Sequence, residues 1–446
     1  MSSLGRPLQP KVAVCGLCSP LEVGADQAPA DAAALVRLLQ ESGCEVVALG
    51  VVDTPDKAAA AGRLCAEQHV DAIAAVAASW FEDYLVLDLI EEWPAPLLLW
   101  STVGMETGAL CGMQQLTCVL KQLARPFVAV FGELDDPACG ERALTAVRAA
   151  ALHSRLRRAR IGLAGHRVAG MTHTAPNEFM LKHAVGPRVV PLDLPLLLQR
   201  AEAVAPAARQ ELWAQVVGRA GECHVPDSAG LDSMGVAVAL REIVAEEGLD
   251  AVSVGCYPHL MGRVCLAASL LADEGIPMAC EGDVNGAVGQ LILQLLTGQP
   301  THHTDWLNPL PDGTVIFTHC GSGSFSLAHD PARISLGEVR LMGQGVCALF
   351  TARPGPVTLL SLNALPDGYQ VALLEGEALP TEMIFPGNPV RVQFDRPVAE
   401  LIEWIHEAGL GHHWMIGTGH VGPAVRDWAA LAGPAVRLIT PAASPR

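Results

Sequence analysis

Aromatic side chains are scarce in this chain of 446 residues: Phe, Trp and Tyr together make up 4% of it. Leu, Val and Ala must therefore fill its cores. Basic residues are also few, with 29 Lys and Arg against 47 Asp and Glu, and the net charge is −18. Gripping a phosphate backbone takes clustered cations that release counterions, so this balance argues against a nucleic-acid partner. No apolar run approaches the ~18 residues of a membrane span. The N-terminal stretch has no basic segment leading into an apolar one, so neither a membrane nor a secretory signal is expected. There is no internal repeat of 20 to 50 residues. The thirteen cysteines are odd in number and not evenly spaced, which reads as a reduced, cytoplasmic protein rather than a disulfide framework. Cys15 and Cys18 form a CxxC, but the second such pair that a zinc site wants is missing. Cys15 continues the apolar run Val12-Ala13-Val14, so the pair reads as small apolar residues at a strand end.

Half of the chain is hydrophobic and 17% is charged, enough for sizeable cores and too little charge for disorder. At ~150 residues per domain, the length points to about three domains. Residues 1–155 read as strands alternating with helices. The strands are continuous apolar runs, as in Asp71–Ala77, Pro96–Trp100 and Phe127–Phe131, which is how strands buried on both faces look. Thr54-Pro55 opens a helix with a cap and a first-turn proline. The β-α-β-α order predicts a doubly wound parallel sheet. Residues 156–297 repeat the pattern, from Ile161–Ala164 through Asp250–Val254 to a helix over Ala287–Leu296 closed by Gly298 and Pro300. After Pro300 helical periodicity fades until Val398. Short apolar runs alternate with turn signals such as Pro-Asp-Gly at 311 and 366, so residues 298–446 are expected to form an antiparallel, barrel-like β domain.

Four segments carry candidate chemistry. In Cys280-Glu281-Gly282-Asp283-Val284-Asn285-Gly286 an acid follows an apolar strand, at the carboxyl end where open α/β sheets place ligands. Asp283 and Asn285 are the better helix caps, which leaves Glu281 free. In Thr301-His302-His303-Thr304-Asp305 the acid sits in what reads as a linker between the second and third domains, and sites favour domain interfaces. His319 ends an apolar run and precedes Gly-Ser-Gly-Ser, where backbone can approach a ligand closely. His412 and His413 are adjacent, so an extended chain would turn only one of them to a given cleft. His420 follows seven residues after His413. Carboxylates with imidazole and no need for thiol suit Mn²⁺ and its neighbours.

These segments, in this order, resemble the fucose/arabinose isomerase superfamily of aldose–ketose isomerases. The resemblance implies that Glu281 is the metal-binding, proton-transferring glutamate and Asp305 its acidic partner. His413-Trp414-Met415-Ile416-Gly417-Thr418-Gly419-His420 resembles the stretch carrying the metal histidine, which falls on His413 rather than His412. His319 matches a further histidine of the arabinose-type enzymes. Leu97–Trp100 and Gly108–Gln115 look like a ligand-facing loop and helix of the first domain. The resemblance thus implies a homo-oligomer, trimer or hexamer, in which Trp100 and Gln114 serve a neighbour's site. Substrate contacts are expected from His319, Trp100, Gln114, His412 and His420.

The implied reaction moves a proton between C1 and C2 of a free, non-phosphorylated sugar through an enediolate. A divalent cation would stabilise the charge and two carboxylates would act as base and acid. No concentrated Lys/Arg site for a phosphate is visible. A sulfonate or carboxylate on the sugar could be met by one or two arginines, with Arg263 and Arg353 as candidates. Two other readings remain at this stage: a sugar-binding or regulatory protein on the same fold, and another metal-dependent enediolate enzyme of epimerase or aldolase type.

Overall fold

The computed structural model describes residues 8–341 and 343–441. They form two compact units, one of residues 8–155 with 423–434 and the other of residues 156–422 with 435–441. In the first unit the strands are β1 (Lys11–Leu17), β2 (Glu45–Val52), β3 (Ala72–Ala77), β4 (Leu97–Ser101) and β5 (Phe127–Phe131). They pair in parallel in the order β2-β1-β3-β4-β5. β3 and β4 are buried along their whole length, as their unbroken apolar runs require. Helices between the strands cover the sheet, and Thr54 caps one of them by accepting a hydrogen bond from the Lys57 amide. The Cys15–Cys18 pair is core: Cys15 lies within β1, and burial with the neighbouring Cys65 pushes its thiol up to about 12.

The second unit opens with β6 (Arg160–Ala164), β7 (Arg188–Leu192), the two-residue β8 (Glu222–Cys223), β9 (Ala251–Val254) and β10 (Met278–Ala279). A second parallel sheet runs β10-β9-β6-β7. The strands that follow are β11 (His302–Pro309), β12 (Val315–Thr318), β13 (Ser335–Val339), β14 (Gln344–Leu349), β15 (Gly355–Leu365), β16 (Gly368–Leu379), β17 (Val390–Gln393), β18 (His413–Thr418) and β19 (Val436–Ile439). Six of them close on themselves in the order β15-β18-β11-β12-β17-β16, with β16 pairing back to β15, and every one of these pairings is antiparallel. This is the barrel expected from the turn-punctuated C-terminal sequence, and closure removes its edges. β19 adds in parallel to β16. β13 and β14 form a hairpin that β8 joins.

One helix fixes the position of the site. Val284–Thr297 is buried over nearly its whole circumference, as a helix apolar on all sides must be. It packs against β9 of the parallel sheet and against β15 and β18 of the barrel. A Cβ on Gly289 would lie 2.9 Å from the Met415 side chain of β18, so glycine there permits the close approach. Each Leu, Ile or Val buried on this helix contributes about 1.5–3 kcal/mol. The helix therefore holds its own N-terminus, just after Glu281, against the strand that begins at His413.

The segment around Asp305 differs from the sequence expectation. It is not a linker but β11, the strand that lies between β18 and β12. Its composition, His-His-Thr-Asp-Trp-Leu-Asn-Pro, lacks the apolar alternation that marks a strand. Some of the polar atoms find partners inside: Thr304 Oγ1 donates to the Trp414 carbonyl at 2.6 Å, and His303 Nδ1 accepts from the Cys280 amide at 3.1 Å, whereas His303 Nε2 and Asp305 Oδ1 are buried without one.

Candidate active site

Glu281 is presented by an unusual turn. β10 ends at Ala279, and the chain reaches the helix at 284 through two consecutive left-handed residues, Glu281 (φ 65°) and Gly282 (φ 71°). The left-handed region is uncommon for a residue with a side chain and carries strain that clusters at functional positions. Its surroundings hold it there. The Glu281 amide donates to Cys256 Sγ at 3.4 Å, its carbonyl accepts from the Val168 amide at 3.2 Å, and the Gly282 amide donates to the Val254 carbonyl at 3.0 Å. Gly282 has no room for a side chain, since a Cβ would stand 2.6 Å from the backbone of His166 and Arg167.

Asp305 and His413 are brought together by register: they are direct partners across the β11–β18 ladder, and Asp305 faces Thr318 across the β11–β12 ladder. His319 follows Thr318, so the ends of two neighbouring strands supply both histidines and the middle of β11 between them supplies the acid. His413 Nε2 lies 3.2 Å from Glu281 Oε2 and 3.6 Å from Asp305 Oδ1. His319 Nε2 is 3.8 Å from Glu281 Oε2. Glu281, His319 and His413 make one triad able to hold a metal ion, and Asp305, His412 and His413 make another.

The residue that sequence reasoning left as a helix cap is more than that. Asp283 does cap the helix, its Oδ1 accepting from the Gly286 amide at 2.9 Å. Its Oδ2 also lies 2.8 Å from His413 Nδ1. An imidazole that gives Nδ1–H to a carboxylate has its Nε2 lone pair left for a cation, the usual arrangement behind metal-ligating histidines. The sequence signal for this second role is weak, because Asp283 and His413 are 130 positions apart. His173, in the loop after β6, carried no signal at all; its ring lies 4.9 Å from that of His412 and 6.1 Å from that of His413. Asn285 sits inside the helix instead of capping it, and accepts from the Tyr369 hydroxyl at 3.1 Å.

The electrostatics follow from this packing. Burial alone would raise the Glu281 carboxyl, but the imidazoles of His319 and His413 outweigh it and hold it well below the usual carboxylate range. Burial would likewise depress His413, yet the carboxylates of Asp283 and Glu281 push it up to about 9. Burial opposes charge on His319 too, and Asp305, Cys280 and Glu281 raise it well above its ordinary value. Burial and the neighbouring His413 lower His173, His303 and His412.

The other expected contacts divide. His412 is half-exposed, its Nε2 3.8 Å from Asp305 Oδ1. Both adjacent histidines therefore reach the same acid; strict alternation fails because β18 begins only at His413. His420 is outside the cluster, at 3.2 Å from the Gly376 carbonyl and 3.7 Å from Glu377. Trp100 and Gln114 belong to the first unit. Trp100 is fully buried in β4, with its indole N–H donating to the Gly132 carbonyl at 2.9 Å, and Gln114 is exposed on the helix Ala109–Gln122. Arg263 is held by Asp232 through two contacts of 2.7 and 2.9 Å. Arg353 is exposed and does not line the cleft that contains Glu281. That cleft is lined by Glu281, Asp305 and His319 together with Tyr257, Arg340 and Phe385 among others.

In the second unit a parallel sheet, a closed antiparallel barrel and an acid–imidazole cluster come together, and similarity to known proteins marks the chain as an aldose–ketose isomerase. It is 26% identical over 377 residues to the sulfoquinovose isomerase of Alkalicoccus urumqiensis, covering 81% of this chain and 84% of that one. The sulfoquinovose isomerase of Priestia aryabhattai is 25% identical over 368 residues, covering 79% and 82%. That of Clostridium sp. (strain MSTE9) is 25% identical over 303 residues, covering 66% and 68%. No protein-family model matches the chain. Among the described residues, no helix is long and apolar enough to cross a membrane.

Proposed function

We propose that the chain interconverts the aldose and ketose forms of a sulfonated hexose, of the kind its relatives are named for, with a divalent cation of the Mn²⁺ class held by Glu281, Asp305 and His413. The observation that carries this reading is the approach of two carboxylates to His413 Nε2, while Asp283 engages Nδ1. The donor types suit such a cation, with Glu281 and Asp305 in separate triads that share His413. Two carboxylate oxygens with one imidazole suit a hard-to-borderline ion, and Asp305 Oδ1 is a buried acceptor with no hydrogen-bond partner. When bound, the ion supplies Lewis-acid charge where the sugar's oxygens become negative.

The proton chemistry belongs to the chain. Glu281, kept ionised by its histidines, is the base that takes the proton from the carbon beside the carbonyl and returns it to the neighbouring carbon. Asp305 is the second acid–base group. His319, beside Glu281 in the cleft, donates to a substrate oxygen. Asp283 acts through His413 and fixes its orientation.

A homo-oligomer, trimer or hexamer, and a cytoplasmic location are part of the same reading, and sedimentation of the purified protein tests the first. The enzymatic test uses Glu281→Gln. A general base is typically worth ~10²–10⁴ in rate, so turnover should fall by at least that much while sugar binding survives. Exchange of the C2 proton with solvent deuterium should cease as well. Stripping metal should abolish turnover and Mn²⁺ should restore it. Isomerisation at the wild-type rate by Glu281→Gln, or by protein shown metal-free by elemental analysis, refutes the assignment.

A further inference from the structure

We infer that Arg340 forms an anion subsite in the cleft of Glu281 and takes a singly charged sulfonate at the end of the sugar remote from the carbonyl; the inference rests on the sulfonated-sugar reading above. Sulfoquinovose is a glucose that carries a sulfonate on C6 in place of the hydroxyl, so its two ends differ in charge. The cleft has the same polarity. Its carboxylates, Glu281 and Asp305, suit the uncharged carbonyl end and repel an anion. Among the described residues that line it, Arg340 is the one guanidinium, and no lysine is present.

Arg340 is free to serve. Its guanidinium stacks on the Phe385 ring at 4.6 Å from the centroid, which fixes the plane of the group and leaves its N–H edges for a ligand. It has no carboxylate partner among the described residues. By contrast, Arg241 is paired with Glu274, Arg263 with Asp232 and Arg391 with Asp312.

The loop that carries Arg340 is anchored to the cleft wall. Arg340 follows directly on β13, whose last residue Val339 is buried and lines the cleft. The β13–β14 hairpin is clamped onto the segment that supplies Cys256, Tyr257 and Met261 to the same wall. The Val346 amide donates to the Gly262 carbonyl at 2.9 Å. Gly262 and Gly345 pass so closely that a Cβ on Gly345 would fall 2.4 Å from the Gly262 Cα. A lone guanidinium facing a net-negative cleft matches a monoanion better than a phosphate dianion.

The test compares sulfoquinovose with its neutral counterpart quinovose and with glucose 6-phosphate, using metal-loaded wild type, Arg340→Met and Arg340→Lys. Wild type should prefer sulfoquinovose. In Arg340→Met that preference should collapse by roughly tenfold to a hundredfold, the worth of hydrogen bonds to a charged group, and mainly through KM. Arg340→Lys keeps the charge without the planar fork and should retain part of the preference. Thermal melts of the three proteins separate loss of recognition from loss of fold. A preference that survives intact in Arg340→Met overturns the role of Arg340 and leaves the sulfonated-sugar reading standing. Wild type that treats quinovose and sulfoquinovose alike overturns that reading and the subsite with it. A preference for glucose 6-phosphate over sulfoquinovose overturns the monoanion class.

Discussion

Asp283→Asn isolates how the chain prepares its metal-facing histidine. Asp283 uses both oxygens, Oδ1 for the Gly286 amide and Oδ2 for His413 Nδ1. Asparagine has one acceptor oxygen and one amide that only donates. If that oxygen keeps the helix cap, the NH₂ group faces His413 Nδ1. The imidazole must then accept at Nδ1 and carry its proton on Nε2, the nitrogen that faces Glu281 and Asp305. A protonated Nε2 cannot ligate a metal. The side chain is buried, 3% exposed, so water offers no escape. Loss of such an outer carboxylate typically costs 10–100-fold in metal affinity or activity, which is about 1.4–2.7 kcal/mol. Calorimetric titration of the metal-free variant with Mn²⁺ should show this loss, and excess Mn²⁺ should recover most of the turnover. Asp283→Ala should show the same defect plus roughly 1 kcal/mol of lost stability from the missing cap. An Asn variant that binds Mn²⁺ within about threefold of wild type, well short of a 10–100-fold loss, refutes the orienting role.

Three further outcomes are expected. Gly282→Ala should destabilise the second unit by more than ~1 kcal/mol and cut turnover, because its Cβ would stand 2.6 Å from the backbone of His166 and Arg167; a stable, fully active variant contradicts the proposed turn. His413→Ala should lose activity that high Mn²⁺ partly rescues, whereas Asp305→Asn should remain slow at saturating Mn²⁺ because it also removes an acid–base group; steady-state rates across a Mn²⁺ series distinguish the two. The third concerns pH. Burial, with Arg353 nearby, lowers His302 from 6.5 to about 4, so the unfolded chain binds a proton that the folded one refuses. Stability should be full above about pH 6.5 and fall by about 3 kcal/mol as pH drops to 4, with no further loss from this group below that. Denaturant midpoints measured across this range check it, and His302→Leu should flatten the decline.

What the sequence by itself determined was local. Continuous apolar runs identified both parallel sheets because strands buried on two faces need nothing but apolar side chains. Recurrent turn signals identified the barrel because turns demand particular residues. Glu281 stood out for a local reason too, as an acid between an apolar strand and a glycine turn, with Asp283 left to cap the helix. The tertiary structure decided the rest. β11 was hidden because its polar side chains serve the site and contacts remote in sequence, so its pattern resembles a loop. The pairing of Asp305 with His413 is a fact of strand register, and register is set by the whole barrel. Asp283 acquired its second role only when the helix it caps packed against β18. Arg263 and Arg340 look alike in the sequence, but folding gave one a carboxylate partner and left the other facing the cleft. Hydrophobic pattern and turn chemistry act over a few residues, whereas convergence of charged groups depends on contacts between distant segments, such as Asp283 and His413, 130 residues apart.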